Sequence, residues 1–229
     1  MIESSLGATV IVMDSSDEEF YRRVRVLLED SYVSADKRGD VFGGSGSSGD
    51  MATWNAKRRV IAGAFDRSGT WLDVGCANGL LMETLTAWVA EKGHRVEPYG
   101  LDLSERIAER ARERLPRWAA RIWAGNVMEF EPPIRFDFVT ALADSVPMER
   151  RSALVKRLAH VYVKPGGRVI LSCYRPGAFL FGPAAREADS AAAILRDAGY
   201  APLGDAEVRD PLTSAAKVRV AWTDVPEQG

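Results

Sequence analysis

The stretch Thr70-Trp-Leu-Asp-Val-Gly-Cys-Ala-Asn-Gly79 limits what this chain can fold into more than any other part of it. An apolar strand runs into an acidic residue and a glycine-flanked turn, and an amphipathic helix begins at once at Leu80. That order builds a ligand site at the end of a strand. Glycine lets the backbone approach a bound group closely, and the first N–H groups of a helix have no partner within it.

From Met51 onward, apolar strand-like runs alternate with helical patterns, the signature of a mainly parallel sheet with helices on both faces. The reading is a helix over 51–65, a strand at 70–75, a helix at 79–92, a strand at 96–103 and a helix at 104–115. Strands at 120–125 and 135–142 follow, then a helix at 147–163, a strand at 167–174, a helix at about 185–198, and strands at 205–209 and 215–223. Ser104 is placed to cap the helix bearing Ile107, Ala111 and Leu115, and Pro116 stops it. The preceding residues, 1–50, differ in composition. A helical pattern from Ser16 to about Ser34 leads into Gly43-Gly-Ser-Gly-Ser-Ser-Gly-Asp50, which has the make-up of a flexible coil. Two readings are open for 1–50, a loose terminal arm or a lid over a site, with 51–229 as one domain.

Charge is nearly balanced, 30 basic against 32 acidic residues, so no broad cationic field exists to gather duplex DNA, and a small or modest-sized partner is favoured. Cys76 and Cys173 are far apart and lack a ligand-like spacing, which argues against both a disulfide framework and zinc and suggests a reducing, cytoplasmic setting. The apolar run from Leu6 to Met13 is too short to span a bilayer. No metal or membrane is expected, and the assembly is left as monomer or homodimer.

In an open parallel sheet, ligands bind beyond the carboxyl ends of the strands, so the residues just after each strand carry the interest. Asp102, in Tyr99-Gly-Leu-Asp102, ends the second strand of the unit, where a carboxylate can accept both hydrogen bonds of a ribose diol. A nucleoside-containing ligand is implied. Nicotinamide and flavin dinucleotides use similar geometry, but their fingerprint needs glycine at the first, third and sixth positions. Counting from Gly75, those after the first are Ala77 and Leu80.

Leu72-Asp-Val-Gly-Cys-Ala-Asn-Gly79 resembles the first motif of class I S-adenosylmethionine-dependent methyltransferases, with Ala77 standing at the middle glycine of the usual pattern. If Ala77 takes a positive φ it is strained. The resemblance continues through Gly100-Leu-Asp-Leu-Ser104, Gly125-Asn126, Phe136-Asp-Phe-Val-Thr-Ala141 and Lys164-Pro-Gly-Gly-Arg-Val-Ile-Leu171, in the family's order and spacing over about residues 51–223. It implies a Rossmann-like α/β fold of seven strands, the last antiparallel, with S-adenosylmethionine as cofactor and S-adenosylhomocysteine as product. It further implies that Gly75, Cys76, Ala77, Asn78 and Gly79 lie beside the methionine part, with Asp73 on its amino group directly or through water. Asp102 would hold the ribose, Leu103 would pack on the adenine, and Asn126 with Val127 would meet the adenine edge. Ala141 or Leu142 would offer a backbone carbonyl.

Methyl transfer from a sulfonium needs a nucleophile held in line, and a base only if that nucleophile arrives protonated. His94 and His160 both belong at the amino edge of the sheet, away from the site, and are expected not to be catalytic. Asp144, just past the fourth strand, is the candidate to orient or deprotonate an acceptor, although a helix-start acid is its more ordinary role. Tyr174 and Arg175 are placed to line the acceptor pocket. Arg58 and Trp54, one turn apart on the helix entering the first strand, are candidates for the methionine carboxylate and for an apolar wall. The segment Ala141-Leu-Ala-Asp144 lacks the Asn/Asp-Pro-Pro-aromatic signature of amino-directed nucleic-acid methylation. The expected activity is therefore methyl transfer to a small-molecule acceptor. An RNA- or protein-directed methyltransferase, a dinucleotide oxidoreductase and a non-catalytic cofactor-binding fold stand as alternatives.

Overall fold

The computed structural model describes residues 15–36, 39–40, 42, 50–175 and 188–227. One seven-stranded sheet forms its middle layer: β1 (Gly69–Val74), β2 (Val96–Asp102), β3 (Ile122–Ala124), β4 (Phe136–Leu142), β5 (Val163–Tyr174), β6 (Gly204–Arg209) and β7 (Ala216–Asp224). Across the sheet they run β3-β2-β1-β4-β5-β7-β6. The pairs among β1 to β5 are parallel, and β7 enters antiparallel between β5 and β6. The order reverses between β1, whose chain moves outward to β2, and β4, so the carboxyl ends of β1 and β4 flank the topological switch point.

Alternation along the strands divides the core in two. From β1, Trp71 faces one side with Phe138 and Ile170, and Leu72 and Val74 face the other with Val139, Ala141 and Leu171. Helices α2 (Met51–Arg58), α3 (Leu80–Glu91) and α4 (Glu105–Arg114) close the first face; α5 (Arg151–Arg157) and α6 (Ala191–Asp197) close the second. A further helix, α1 (Ser15–Asp36), precedes the domain, over the span where a helical pattern is read in the sequence.

Several boundaries differ from the sequence reading: the helix expected over 51–65 gives way to a 3-10 turn at Arg59–Ala64, and a 3-10 turn at Pro116–Arg121 delays the strand expected at 120 to Ile122. The helix expected over 147–163 is a 3-10 turn at Met148–Arg150, then α5, then a π turn at Leu158–Tyr162. The strand expected at 167 begins at Val163, which pairs with Phe136 across a register shift before Arg168 pairs with Phe138. Lys164-Pro-Gly-Gly167 is thus absorbed as an irregularity inside β5. Pro165 has no N–H to give the ladder, and Gly166 has φ 73°, so the segment breaks the pairing without ending the strand. Helix α6 starts at Ala191 because the Ser190 hydroxyl caps it, accepting from the Ala193 N–H at 3.2 Å. The expected start near 185 lies outside the described residues, as do the glycine/serine run from 43 to 49 and the segment Pro176 to Pro183.

Candidate cofactor site

The chain leaves β1 at Val74 and turns through Gly75 (φ 80°), Cys76, Ala77 (φ 50°), Asn78 and Gly79 (φ 76°) into α3. Three left-handed residues in five make a turn that only firm hydrogen bonding can hold. The Gly75 and Cys76 N–H groups both donate to the Leu101 carbonyl, at 2.7 and 3.2 Å, and the Ala77 N–H donates to Asp102 Oδ2 at 2.9 Å. Asn78 Oδ1 accepts from the Leu80 N–H at 3.2 Å, closing the turn just before α3, whose N-cap is Gly79. Bare backbone in β2 makes room for the turn: a Cβ on Gly100 would sit 2.8 Å from Cys76 Sγ.

Ala77 is therefore the strained residue that the positive-φ test looks for. Left-handed backbone costs an L-residue about 1–2 kcal/mol, partly offset in an alanine-to-glycine exchange by the freer unfolded chain. Ala77→Gly is expected to stabilise the protein by about 0.5–1 kcal/mol, raising Tm by about 2 °C. A thermal melt in which Tm is unchanged or lower contradicts this.

Two buried carboxyl groups face each other across this turn. Asp102 Oδ1 accepts from the Ser104 N–H at 3.0 Å, and its Oδ2 from Ala77, which leaves lone pairs on both oxygens. Burial pushes its pKa up to about 6 against the pull of those two donors. Asp73 is held from one side only. Trp71 Nε1 donates to Thr140 Oγ1 at 2.9 Å, and the Thr140 hydroxyl donates to Asp73 Oδ1 at 2.9 Å. Asp73 Oδ2 is buried with no hydrogen-bond partner among the described residues. Burial pushes Asp73 up to about 7; Thr140 opposes the shift, the Asp102 charge adds to it, and Arg58 opposes it. A buried carboxylate oxygen left without a donor is the mark of a ligand position. Sequence patterning does not single out Thr140, which stands beside Asp73 in the β1–β4 register, a polar residue within the apolar run Phe138 to Leu142.

The remaining candidates divide by place. The Arg58 guanidinium lies over the Tyr174 ring at 3.8 Å and over the Trp54 ring at 5.1 Å, so α2 and the end of β5 meet beside Asp73. Trp54 is buried and donates from Nε1 to Thr84 Oγ1 at 3.1 Å, which fastens α2 to α3. Leu103 and Gly125 border an open cleft of about 560 Å³ between α1 and α4, reached from the tips of β2 and β3. Asn126 Oδ1 accepts from the Met128 N–H, and the Val127 carbonyl is taken by Tyr162 Oη and Arg157 Nε, so this turn is braced from beneath. Ala141 is buried and Leu142 half-buried at the end of β4. Asp144, just beyond, is paired with Arg151, which also binds Asp189 at 2.8 Å. Burial raises the Asp144 pKa and Arg151 opposes the rise.

Helix α1 lies across these strand ends, a placement that sequence patterning did not supply. Asp17 Oδ2 meets Arg150 Nη2 at 2.6 Å past β4, Tyr21 hydrogen-bonds Asn126 past β3, and Glu29 Oε1 accepts from Ser104 Oγ at 2.5 Å past β2. Tyr21 and Tyr32 are buried on the same helix face. The two histidines are at the opposite edge: His94 between α3 and β2, and His160 in the π turn leading into β5. His94→Ala and His160→Ala are each expected to leave turnover within about twofold, whereas loss of a general base costs about 100-fold or more. A large loss in a well-folded variant, assayed at saturating cofactor, contradicts this.

The residues present suit one ligand well. Asp73 Oδ2 matches an ammonium group, the free lone pairs of Asp102 match a vicinal diol, and Arg58 matches a carboxylate. S-Adenosylmethionine carries all three groups. No curated protein sequence matches the chain. Residues 72–167, from the middle of β1 to the start of the regular part of β5, match the model of a methyltransferase domain family. Among solved structures, a Burkholderia thailandensis 1,6-didemethyltoxoflavin-N1-methyltransferase, with 1,6-didemethyltoxoflavin and S-adenosylhomocysteine bound, superposes with a TM-score of 0.60 at 20% identity, covering 98% of this chain and 99% of that one. A methyltransferase from Aquifex aeolicus dependent on S-adenosylmethionine gives 0.52 at 19% identity, over 77% of this chain and 94% of that one. The mitomycin 7-O-methyltransferase MmcR gives 0.53 at 22%, over 76% of this chain and 55% of that one. Residues 72–167 therefore carry the sequence pattern of a methyltransferase domain, and the solved structures share the fold built around it.

Proposed function

We propose that the acceptor is a small molecule and that the methyl group passes in line to one of its nucleophilic atoms. Helix α1 carries this reading. It is fastened over the ends of β2, β3 and β4 by Glu29, Tyr21 and Asp17, so the acceptor must fit beneath a roof rather than lie on an open face. The balanced charge of the chain points the same way, since a polyanionic acceptor calls for a basic surface. So does the fold likeness to the didemethyltoxoflavin methyltransferase, which spans nearly the whole of both chains.

When bound, S-adenosylmethionine supplies an electrophilic methyl group on a positively charged sulfur that is also the leaving group. The work left to this chain is binding and alignment. Asp73 takes the amino group and Asp102 the ribose hydroxyls, while the backbone of Gly75, Cys76, Ala77, Asn78 and Gly79 runs along the methionine part. Arg58 faces the carboxylate and Trp54 walls the crevice behind it. Leu103 packs on the adenine, Asn126 and Val127 border its edge, and Ala141 and Leu142 offer backbone carbonyls. Asp144, already engaged by Arg151, orients the acceptor side and is not the primary proton acceptor.

The test is methyl transfer from radiolabelled S-adenosylmethionine to a panel of phenolic, heteroaromatic-nitrogen and amine acceptors, run beside total RNA and a protein extract. Label recovered in a small molecule, unaffected by raised salt, supports the reading. Label recovered only in RNA or protein overturns it.

A further inference from the structure

A buried arginine at the tip of β4 keeps one donor unused. Arg151 opens α5, and its side chain is 12% exposed. Nη1 donates to Asp189 Oδ2 at 2.8 Å and Nη2 to Asp144 Oδ1, so both ends of the fork are held. Nε is buried with no hydrogen-bond partner among the described residues. An N–H buried without an acceptor is costly and calls for a reason.

The fold puts this donor beside the cofactor turn. Asp144 belongs to the 3-10 turn Ala143–Ser145 that follows β4, and a Cβ on Gly75 would come to 3.9 Å from Ser145 Oγ. Asp17 of α1 ties down Arg150, the residue before Arg151, which brings the pair under the same roof. Nε and Nη2 share one edge of a guanidinium, so the unused N–H stands next to the carboxyl group that Nη2 holds. Asp144 is 23% exposed, and among the described residues its Oδ2 takes no hydrogen bond. The pair therefore offers one donor and one acceptor side by side. Two carboxylates stand against one guanidinium here, and that negative excess disfavours an anionic ligand in a low-dielectric crevice.

A ligand that answers both groups presents a neutral edge with a carbonyl oxygen beside an N–H. We propose that Asp144 and Arg151 recognise the methyl acceptor by such an edge, the ring lactam or imide of a heterocycle, whose carbonyl accepts from Arg151 Nε and whose N–H donates to Asp144 Oδ2. The proposal rests on the reading of the acceptor as a small molecule and names its class. Both residues bind and orient; neither takes a proton in the transfer.

The experiment measures methyl transfer from radiolabelled S-adenosylmethionine to lumazine, alloxazine and xanthine, each beside its analogue methylated at the imide nitrogen, and to phenols and amines without a carbonyl. Wild-type protein is expected to favour at least one free imide over its blocked analogue by about tenfold in kcat/KM, the worth of one hydrogen bond to a charged group. Arg151→Lys keeps the charge and loses the fork, so it should raise KM for that imide about tenfold with kcat within about twofold and affinity for S-adenosylhomocysteine unchanged. Equal use of free and blocked imides, preference for acceptors without the edge, or no transfer to any imide overturns the proposal. A variant that loses kcat or cofactor affinity in place of KM assigns Arg151 to bracing the turn and overturns it too. If Arg151→Lys does not fold, Asp144→Asn reads the same edge: its amide lacks the second acceptor oxygen, and a preference for the free imide that persists contradicts the assignment. Label found only in RNA or protein defeats the small-molecule reading itself, a result separate from any preference among small acceptors.

Discussion

Asp102→Ala is expected to lower affinity for S-adenosylhomocysteine about 100-fold, because two charge-assisted hydrogen bonds to the ribose diol are lost together, for about 3 kcal/mol. The change also removes the acceptor for the Ala77 and Ser104 N–H groups, so the turn before α3 loosens and the protein loses stability. Asp102→Asn separates the two effects. It keeps one acceptor oxygen for the backbone and loses the charge, so most of the affinity should be lost while Tm falls less than in the alanine variant. Calorimetry and thermal melts on the same samples read both. Undiminished affinity in a folded Asp102→Ala protein contradicts the ribose assignment.

The second large effect is on pH. Asp73 is pushed up to about 7 and Asp102 to about 6, both by burial, and an unfolded carboxyl titrates near 4. Both groups hold a proton more tightly in the folded, ligand-free protein than in the unfolded chain. Their favourable contribution to stability is therefore present at pH below about 4 and is lost as pH rises through 6 and 7. An ammonium on Asp73 and a diol on Asp102 both favour the ionised carboxylates, so binding must expel protons when pH is low. Affinity for S-adenosylhomocysteine should fall about tenfold per pH unit as pH drops from 7 to 6, and more steeply below 6 where both groups are protonated. The rise in Tm on adding the ligand should accordingly be larger at pH 8 than at pH 5.5. Asp73→Asn should weaken binding at pH 8 and flatten its dependence between 6 and 7. An affinity that does not change over this range removes Asp73 from the binding step.

How far the sequence foretells this site depends on the kind of information each residue carries. Asp73, Gly75, Gly79 and Asp102 stand out as candidates in the sequence because strand-turn-helix punctuation is local, and a carboxylate at the end of a strand needs no partner to be noticed. The seven-strand sheet is legible for the same reason: alternating apolar runs and capped helices mark each element within a few residues. What resists reading is contact between distant segments. Thr140 matters because it stands beside Asp73 across two strands and relays Trp71 to it, a relation set by register and not by spacing. The helical character of α1 shows in its periodicity, but its seat over the strand ends depends on single contacts with Ser104, Asn126 and Arg150. Lys164-Pro-Gly-Gly167 reads as a helix stop followed by a strand. Pairing of Val163 with Phe136 starts the strand earlier, because the long-range ladder outweighs the local break.

On the proposed reading, Asp73 and Asp102 are the two anionic contacts of one adenosyl ligand. The most direct measurement is a crystal structure grown with S-adenosylhomocysteine. The amino group should lie within hydrogen-bond distance of Asp73 Oδ2, the oxygen buried without a donor among the described residues, and the two ribose hydroxyls on the Asp102 carboxylate. Ligand density elsewhere on the chain, or in this crevice with neither carboxylate in contact, contradicts it.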